Sequence, residues 1–240
     1  MSDEESKMRG FSDALLHLKK LGYAPETVID VGVAWGTPPL YETFSDAFFH
    51  LVEPLSKFDG AIGGILKTYK GRAYKAAAGE HAGPLTIRVR PTALGYAGAS
   101  LSHAVAAQGE GAGQGENGEV EYYTFEVKRL DDIIDAETLT RPCLLKVDAQ
   151  GFDLSVVRSG PKVLAACDIV IMETGVFPFA SSLDEAERNT LANITGYMSQ
   201  HGFCVYDIVS PLYRPYDAAL SQVDLIFARA DSALFKYKGW

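Results

Sequence analysis

Basic residues are few and scattered. The chain of 240 residues holds 22 Lys and Arg against 31 Asp and Glu, a formal net charge of -9. No basic stripe stands out, and phosphate binding needs clustered cations, so nucleic acid is not expected as a partner. A small neutral or cationic partner is easier to accept, although the same acidity serves solubility equally well. Cysteine is short as well. Cys143, Cys167 and Cys204 are odd in number, far apart and each set in an apolar run. They form no C-x-x-C pair and no zinc spacing, which leaves buried, reduced thiols and a reducing cytoplasm as the expectation. No apolar run reaches about 18 residues, so no membrane span is expected. Met1 to Arg9 is charged and lacks an apolar core, which argues against a secretory signal. No His, Asp or Glu cluster shows tight metal-ligand spacing, so no required metal is expected, with an Asp148–Glu173 site for Mg²⁺ left open. With 47% hydrophobic and 22% charged residues, one compact domain over residues 1–240 suffices.

Two strand-to-loop segments carry the most information. Thr27-Val28-Ile29-Asp30-Val31-Gly32-Val33-Ala34-Trp35-Gly36 is an apolar strand with an acid, followed by a glycine loop. Phe48 to Pro54 is a second apolar strand ending in an acid, Glu53. A dinucleotide brings a pyrophosphate dianion and needs closely spaced glycines in the order G-x-G-x-x-G. Here the spacing is Gly-x-x-x-Gly, with Asp30 just ahead of it. An anion is unfavourable beside a pyrophosphate and favourable beside an ammonium or a sulfonium. The pair of segments therefore suits S-adenosylmethionine (SAM) better than a nicotinamide dinucleotide.

The periodicity predicts a capping helix at 11–21 within an N-terminal cap of residues 1–24, closed by Gly22. It then predicts a strand at 27–31, a helix at 37–46 after Thr37-Pro38-Pro39, and a strand at 48–53. A helix from Pro54 to about 67 and a strand at 72–78 follow. This β-α-β-α-β order signals a parallel sheet. Residues 84–128 break the rhythm. Strand-like alternation at 85–90 and 120–127 flanks a Gly- and Ala-rich stretch from Gly95 to Gly118. This reads as a long hairpin insertion, either a substrate-contacting lid or passive chain. The rhythm resumes with a strand at 144–148, a helix from Gly151 to Arg158 and a strand at 168–173. A helix at 184–200 with Ser182 or Asp184 near its cap comes next, then strands at 203–209 and 222–229. The short link from Pro211 to Leu220 makes the final pair antiparallel.

Taken in this order, the segments resemble the FkbM-type family of SAM-dependent methyltransferases. Asp30 to Gly36 is similar to that family's D-V-G-x-x-x-G, Phe48 to Pro54 to its strand ending in E-P, and Lys75 to Gly79 to its third strand and turn. Leu144-Leu145-Lys146-Val147-Asp148-Ala149-Gln150-Gly151-Phe152-Asp153-Leu154 is similar to the family's K-[IV]-D-x-[EQ]-G-x-E box, and Val223 to Phe227 to its last strand. The matches run from about residue 25 to 230. Val33-Ala34 stands where many members carry Ala-Asn, which leaves the amino-acid end of the cofactor to backbone groups or water. Gln150 and Asp153 stand where acids, the second usually Glu, are common.

The resemblance implies an α/β, three-layer, Rossmann-like class I methyltransferase fold. Its seven-stranded sheet is mostly parallel with one antiparallel strand, and here it carries the hairpin insertion as an addition. It implies SAM as cofactor and O-methylation of a hydroxyl on a sugar, a polysaccharide precursor or a secondary metabolite. Gly32 and Gly36 would let backbone approach the cofactor. Asp30 would face its amine, Glu53 its ribose hydroxyls, and Ala78, Gly79 and Glu80 its adenine. Asp148 would stand beside the sulfonium and the acceptor. Lys146, two residues earlier on the same side of the strand, either pairs with Asp148 or orients the acceptor. Asp148 and His103 are the candidate bases. Glu173 ends a strand on the same rim. His81 is a candidate cover for the adenine, His50 a core residue, and His17 and His201 invite no role. Trp35, Phe177, Phe179, Tyr213 and Tyr216 are candidate stacking surfaces for an acceptor or core aromatics. The competing readings are a non-catalytic SAM- or nucleotide-binding or scaffolding module of the same fold, and an NAD(P)-dependent oxidoreductase.

Overall fold

The computed structural model describes residues 8–89, 121–176 and 189–237. A seven-stranded sheet forms its centre, in the order β3-β2-β1-β7-β8-β10-β9. Its strands are β1 (Thr27–Val31), β2 (Phe48–Val52), β3 (Gly71–Tyr74), β7 (Cys143–Val147), β8 (Ile169–Gly175), β9 (Phe203–Tyr213) and β10 (Leu220–Arg229). β10 alone runs antiparallel, between β8 and β9. That is the expected sheet, and the tight β9–β10 connection supplies the physical reason. A turn closed by Arg214 N–H to Ala219 O at 2.9 Å leaves no room for a crossover helix.

β1 and β7 are buried along their whole length, as strands covered on both faces must be. Successive residues point to opposite layers. Ile29, Leu145, Val170, Met172, Leu225 and Phe227 share one core with the short α4 (Leu130–Ile133), α5 (Asp153–Arg158), α6 (Pro161–Ala166) and α7 (Leu191–Gln200). Val28, Leu144, Ile169, Ile171 and Ile226 share the other with α1 (Phe11–Lys20), α2 (Pro38–Thr43) and α3 (Asp59–Thr68). α1 buries Ala14, Leu15 and Leu18. It stops where Gly22, at φ 88°, turns the chain so that Tyr23 N–H reaches back to Leu18 O at 3.0 Å.

Several expected elements are redrawn. The strand predicted at 72–78 divides. β3 ends at Tyr74, and β4 (Ala77–Ala78) joins a separate three-stranded sheet, β4-β6-β5, with β5 (Gly83–Val89) and β6 (Glu121–Lys128). The helix expected from Pro54 begins later, after a 3-10 turn at Ser56–Phe58. The Glu53 carboxylate accepts Leu55 N–H at 2.9 Å and holds that stretch extended. α2 is shorter than the 37–46 reading. α7 is capped by Thr190, whose Oγ1 accepts Asn193 N–H; Ser182 and Asp184 lie outside the described residues. β9 runs on to Tyr213. Cys143 and Cys167 are buried, but Cys204 is exposed because β9 is the sheet's edge and the residue faces away from the core. The β5–β6 pair is the expected hairpin, and Gly95 to Gly118 falls outside the described residues.

Leu145 sits at the centre of the middle strand with no exposed surface. Leu145→Ala is expected to cost about 2–5 kcal/mol, read as a lower midpoint in denaturant unfolding with an unchanged slope.

Candidate functional site

The carboxyl ends of β1, β2, β7 and β8 open into a cavity of about 930 Å³, the edge at which open α/β sheets bind ligands. Its floor is two loops stitched together. Asp148 N–H donates to Val31 O at 2.9 Å, and Gly32 N–H to Val52 O at 2.9 Å. Gly32 stands at φ 82°, and a Cβ there would lie 1.9 Å from the Asp148 carbonyl oxygen. Only glycine permits that approach. Gly36, at φ 103°, closes the loop where a Cβ would meet Ile65 Cδ1 at 3.0 Å.

Glu53 lines the cavity and is 5% exposed. Its Oε2 accepts Ala34 N–H at 3.0 Å and its Oε1 accepts Leu55 N–H at 2.9 Å. Burial pushes its carboxyl upward, opposed by those two bonds and by Lys75 and Lys57. Each oxygen keeps a lone pair for a further donor.

Asp30 does not line the cavity. It is fully buried, and its Oδ2 accepts the Tyr41 hydroxyl at 2.5 Å and the Thr37 hydroxyl at 3.2 Å. Its Oδ1 lies 3.2 Å from Lys146 Nζ, which stands 3.4 Å from Asp148 Oδ2. The Oδ1 contact is an ion pair rather than an aligned hydrogen bond. Burial alone would lower the Lys146 ammonium, but the two carboxylates more than reverse it and hold the pKa above the ordinary lysine value. Lys146 is thus a charged, buried link between Asp30 behind the floor and Asp148, whose side chain is 34% exposed on the cavity wall.

A group of acids surrounds this link. Gln150, at φ 52°, donates its amide to Asp148 Oδ1 at 2.8 Å and to Glu173 Oε2 at 3.5 Å. Gln222 donates to Glu173 Oε1. An acid at position 150 would add another negative charge, whereas the carboxamide bridges the two carboxyls already present. Burial first, then Asp148, Asp153 and Asp224, pushes Glu173 up to about 9. Burial and Asp148 push Asp153 up to about 7, against bonds from Ala149 and Gly151 N–H. Burial raises Asp224 to about 6. Among the described residues no three His, Cys, Asp or Glu are grouped to hold a metal ion.

Ala78, Gly79 and Glu80 line the far side of the cavity. Gly79 N–H is taken by Lys128 O at 3.0 Å and Glu80 N–H by Ser155 Oγ at 3.0 Å. His81 and Trp35 also line the cavity; Trp35 is 61% exposed and meets Phe58 in a T-shaped contact. His50 lies elsewhere, buried and bonded to the Tyr74 hydroxyl at 2.8 Å. Tyr213 and Tyr216 are exposed and do not line the cavity. His103, Phe177 and Phe179 lie outside the described residues. Sequence reasoning missed Gln222, Asp224 and Ser155. Polar residues at alternate positions 222 and 224 of an otherwise apolar strand were the available signal.

The profile of a family described as "Methyltransferase FkbM domain" matches residues 30–205. No relative among curated proteins matches the sequence. Among solved structures, the chain is similar to the fibrillarin/Nop5p complex at 12% identity, over 90% of this chain and 79% of that one, with a TM-score of 0.46. It is similar to magnesium protoporphyrin IX methyltransferase of Synechocystis PCC 6803 at 10% identity, over 91% and 77%, with a TM-score of 0.43. It is also similar to the 1,6-didemethyltoxoflavin-N1-methyltransferase of Burkholderia thailandensis at 14% identity, over 95% and 80%, with a TM-score of 0.41.

Lys146→Met leaves Asp30 buried without its counter-ion and is expected to cost about 3–5 kcal/mol; the double variant with Asp30→Asn should regain part of that in the same denaturant titration. For Glu173, the folded carboxyl keeps its proton to about pH 9 while the unfolded one loses it near 4.5. Its contribution is therefore full below the unfolded value and is lost as pH climbs through that window. Glu173→Gln should be more stable than the native chain at pH 8, by more than about 1 kcal/mol, and its melting point should vary less with pH.

Proposed function

Because the chain belongs to the methyltransferase FkbM domain family, we propose that it transfers a methyl group from SAM to a hydroxyl of a small acceptor. The observation that carries the cofactor half is Glu53. It is a buried carboxylate aimed into the cavity, pinned by backbone N–H groups from two loops, and it still has room to accept from a pair of ribose hydroxyls. The donor set fits the rest of the group. Acids crowd the β7–β8 end, and Lys146 there is engaged by Asp30 and Asp148. That end favours an ammonium or sulfonium and disfavours a pyrophosphate. The Gly32 and Gly36 turns keep side-chain bulk away from the loop, and the Ala78–Glu80 backbone borders a site for the base.

SAM, when bound, supplies an electrophilic methyl group on a sulfonium. The chain's own residues then have two tasks. They position the acceptor, which is where most of the rate enhancement of such a displacement comes from, and they accept a proton from its hydroxyl. Asp148 is the described residue suited to the second task, since it faces the cavity and its Oδ2 lies 3.4 Å from the Lys146 ammonium. Glu173 holds its proton at neutral pH and serves as a hydrogen-bonding wall. His103 stays a candidate base. The exposed face of Trp35 suits the apolar face of a ring, in keeping with a sugar, polysaccharide precursor or secondary metabolite as acceptor. We treat residues 1–240 as one methyltransferase domain. A reducing, cytoplasmic setting suits its three free thiols, and no described helix is long and apolar enough to cross a membrane.

Calorimetric titration with SAM, and separately with S-adenosylhomocysteine, tests this reading. Micromolar binding of both is expected, with at least about a tenfold loss in Glu53→Ala and unchanged circular dichroism. Equal affinity in the variant would remove Glu53 from the ribose, and no binding by the native chain would end the cofactor assignment. Bound SAM without turnover over a panel of hydroxyl acceptors would favour the non-catalytic reading.

A further inference from the structure

Methyl transfer alone does not explain why a carboxyl that keeps its proton stands on the wall of a cavity suited to a cation. Glu173 lies near the end of β8 and lines the cavity. Both of its oxygens are held by carboxamides. Gln222, on β10, donates to Oε1, and Gln150, in the loop after β7, donates to Oε2 at 3.5 Å. Neither amide can take up or release a proton, and both can donate to the carboxyl in either of its charge states. Glu173 is thus fixed in place while its charge stays free to change.

The charged groups that face it come from three elements. Asp148 and Lys146 belong to β7 and its loop, Asp153 to α5 and Asp224 to β10. Three acids stand against one ammonium, and Lys146 is shared with Asp30 as well. Asp153 is fully buried and accepts Ala149 and Gly151 N–H, and Asp224 bonds to Ser210. Neither lines the cavity. Asp148 does, with the Lys146 ammonium 3.4 Å from its Oδ2. Glu173 is left as the cavity acid with no cation beside it. Burial and the three acids push it up to about 9. A positive charge brought into the cavity opposes that push and favours the carboxylate.

We infer that Glu173 reads the charge on the cofactor's sulfur, giving up a proton beside the sulfonium of SAM and keeping it beside the neutral thioether of S-adenosylhomocysteine. This rests on the cofactor reading above. The two ligands differ by one methyl group and one positive charge, so the charge is what a residue here can sense. A cation lowers the pKa from its raised value, and SAM affinity therefore climbs with pH as that value is approached. At pH 7 the carboxyl keeps most of its proton with either ligand, and the contrast opens between about pH 7.5 and 9. In that window the site prefers the methyl donor to the product it becomes, which favours exchange of one for the other.

Calorimetric titration of the full chain at about pH 8.5, in two buffers of different ionisation enthalpy, counts the protons released on binding. With SAM, the native chain should release about half a proton more than Glu173→Gln, a comparison that cancels the ligand's own amine. With S-adenosylhomocysteine the two proteins should agree. Raising the pH from about 7 to about 9 should strengthen SAM binding to the native chain about fivefold relative to the variant. Equal release from both proteins with SAM would overturn the charge-reading role, assign any proton to another acid such as Asp153, and leave the cofactor reading standing. Failure of the native chain to bind either ligand would overturn the cofactor reading itself. Should Glu173→Gln fail to fold, infrared difference spectra of the native chain decide the matter. A protonated-carboxyl band is lost on adding SAM and kept on adding S-adenosylhomocysteine if Glu173 reads the charge, and its persistence with SAM refutes it.

Discussion

A charge pair inside the sheet organises this molecule. Asp30 and Lys146 are register partners on adjacent parallel strands, both withdrawn from water. A buried ion pair rarely adds net stability against apolar residues of the same shape, because desolvation of both charges offsets their attraction. What it gives here is placement. Tyr41 and Thr37 hold one oxygen of Asp30, Asp30 holds Lys146, and Lys146 presents its charge to Asp148, which lines the cavity. The position of Asp148 is thus set partly from behind, through Asp30 and Tyr41, which do not line the cavity.

The rim follows the same principle. Glu53 spans two loops with its two oxygens, and Asp153 ties the β7 loop to the start of α5 while taking Asn189 from the segment before α7. Each carboxylate consumes backbone N–H groups that irregular chain would otherwise leave bare. The left-handed backbone at Ala34 and Gln150 persists because those bonds over-determine the loops around it. Rigid loops with free lone pairs facing inward are what a small polar ligand requires.

Much of this was legible in the residues, and the boundary has physical causes. Strand ends marked by Asp148, Glu53 and Gly32 announce themselves because an acid or glycine after an apolar run is costly unless it has a place to go. The direction of Asp30 was harder. The expectation placed it toward a ligand amine, yet the two-residue period sets it on the face of Val28, over α2, where Tyr41 and Lys146 meet it. The partner of a strand residue depends on register, which a single strand does not encode. The division of the 72–78 strand was hidden for a similar reason: Lys75 and Ala76 leave the main sheet so that Ala77 and Ala78 can pair with β6, a segment more than forty residues away. Gln222 and Asp224 escaped notice because their contacts span the sheet and not the sequence.

β10 is the last strand in chain order, yet it lies inside the sheet, between β8 and the earlier-made β9. Its Gln222 is the group that occupies one oxygen of Glu173. During synthesis on the ribosome, the sheet therefore waits with a gap between β8 and β9 until residues 220–229 emerge. A nascent chain lacking them has the glycine loop and Glu53 but an unfinished acid wall. Completion of the pocket is consequently tied to the emergence of residues 220–229, and a chain made only as far as β9 cannot assemble the whole site.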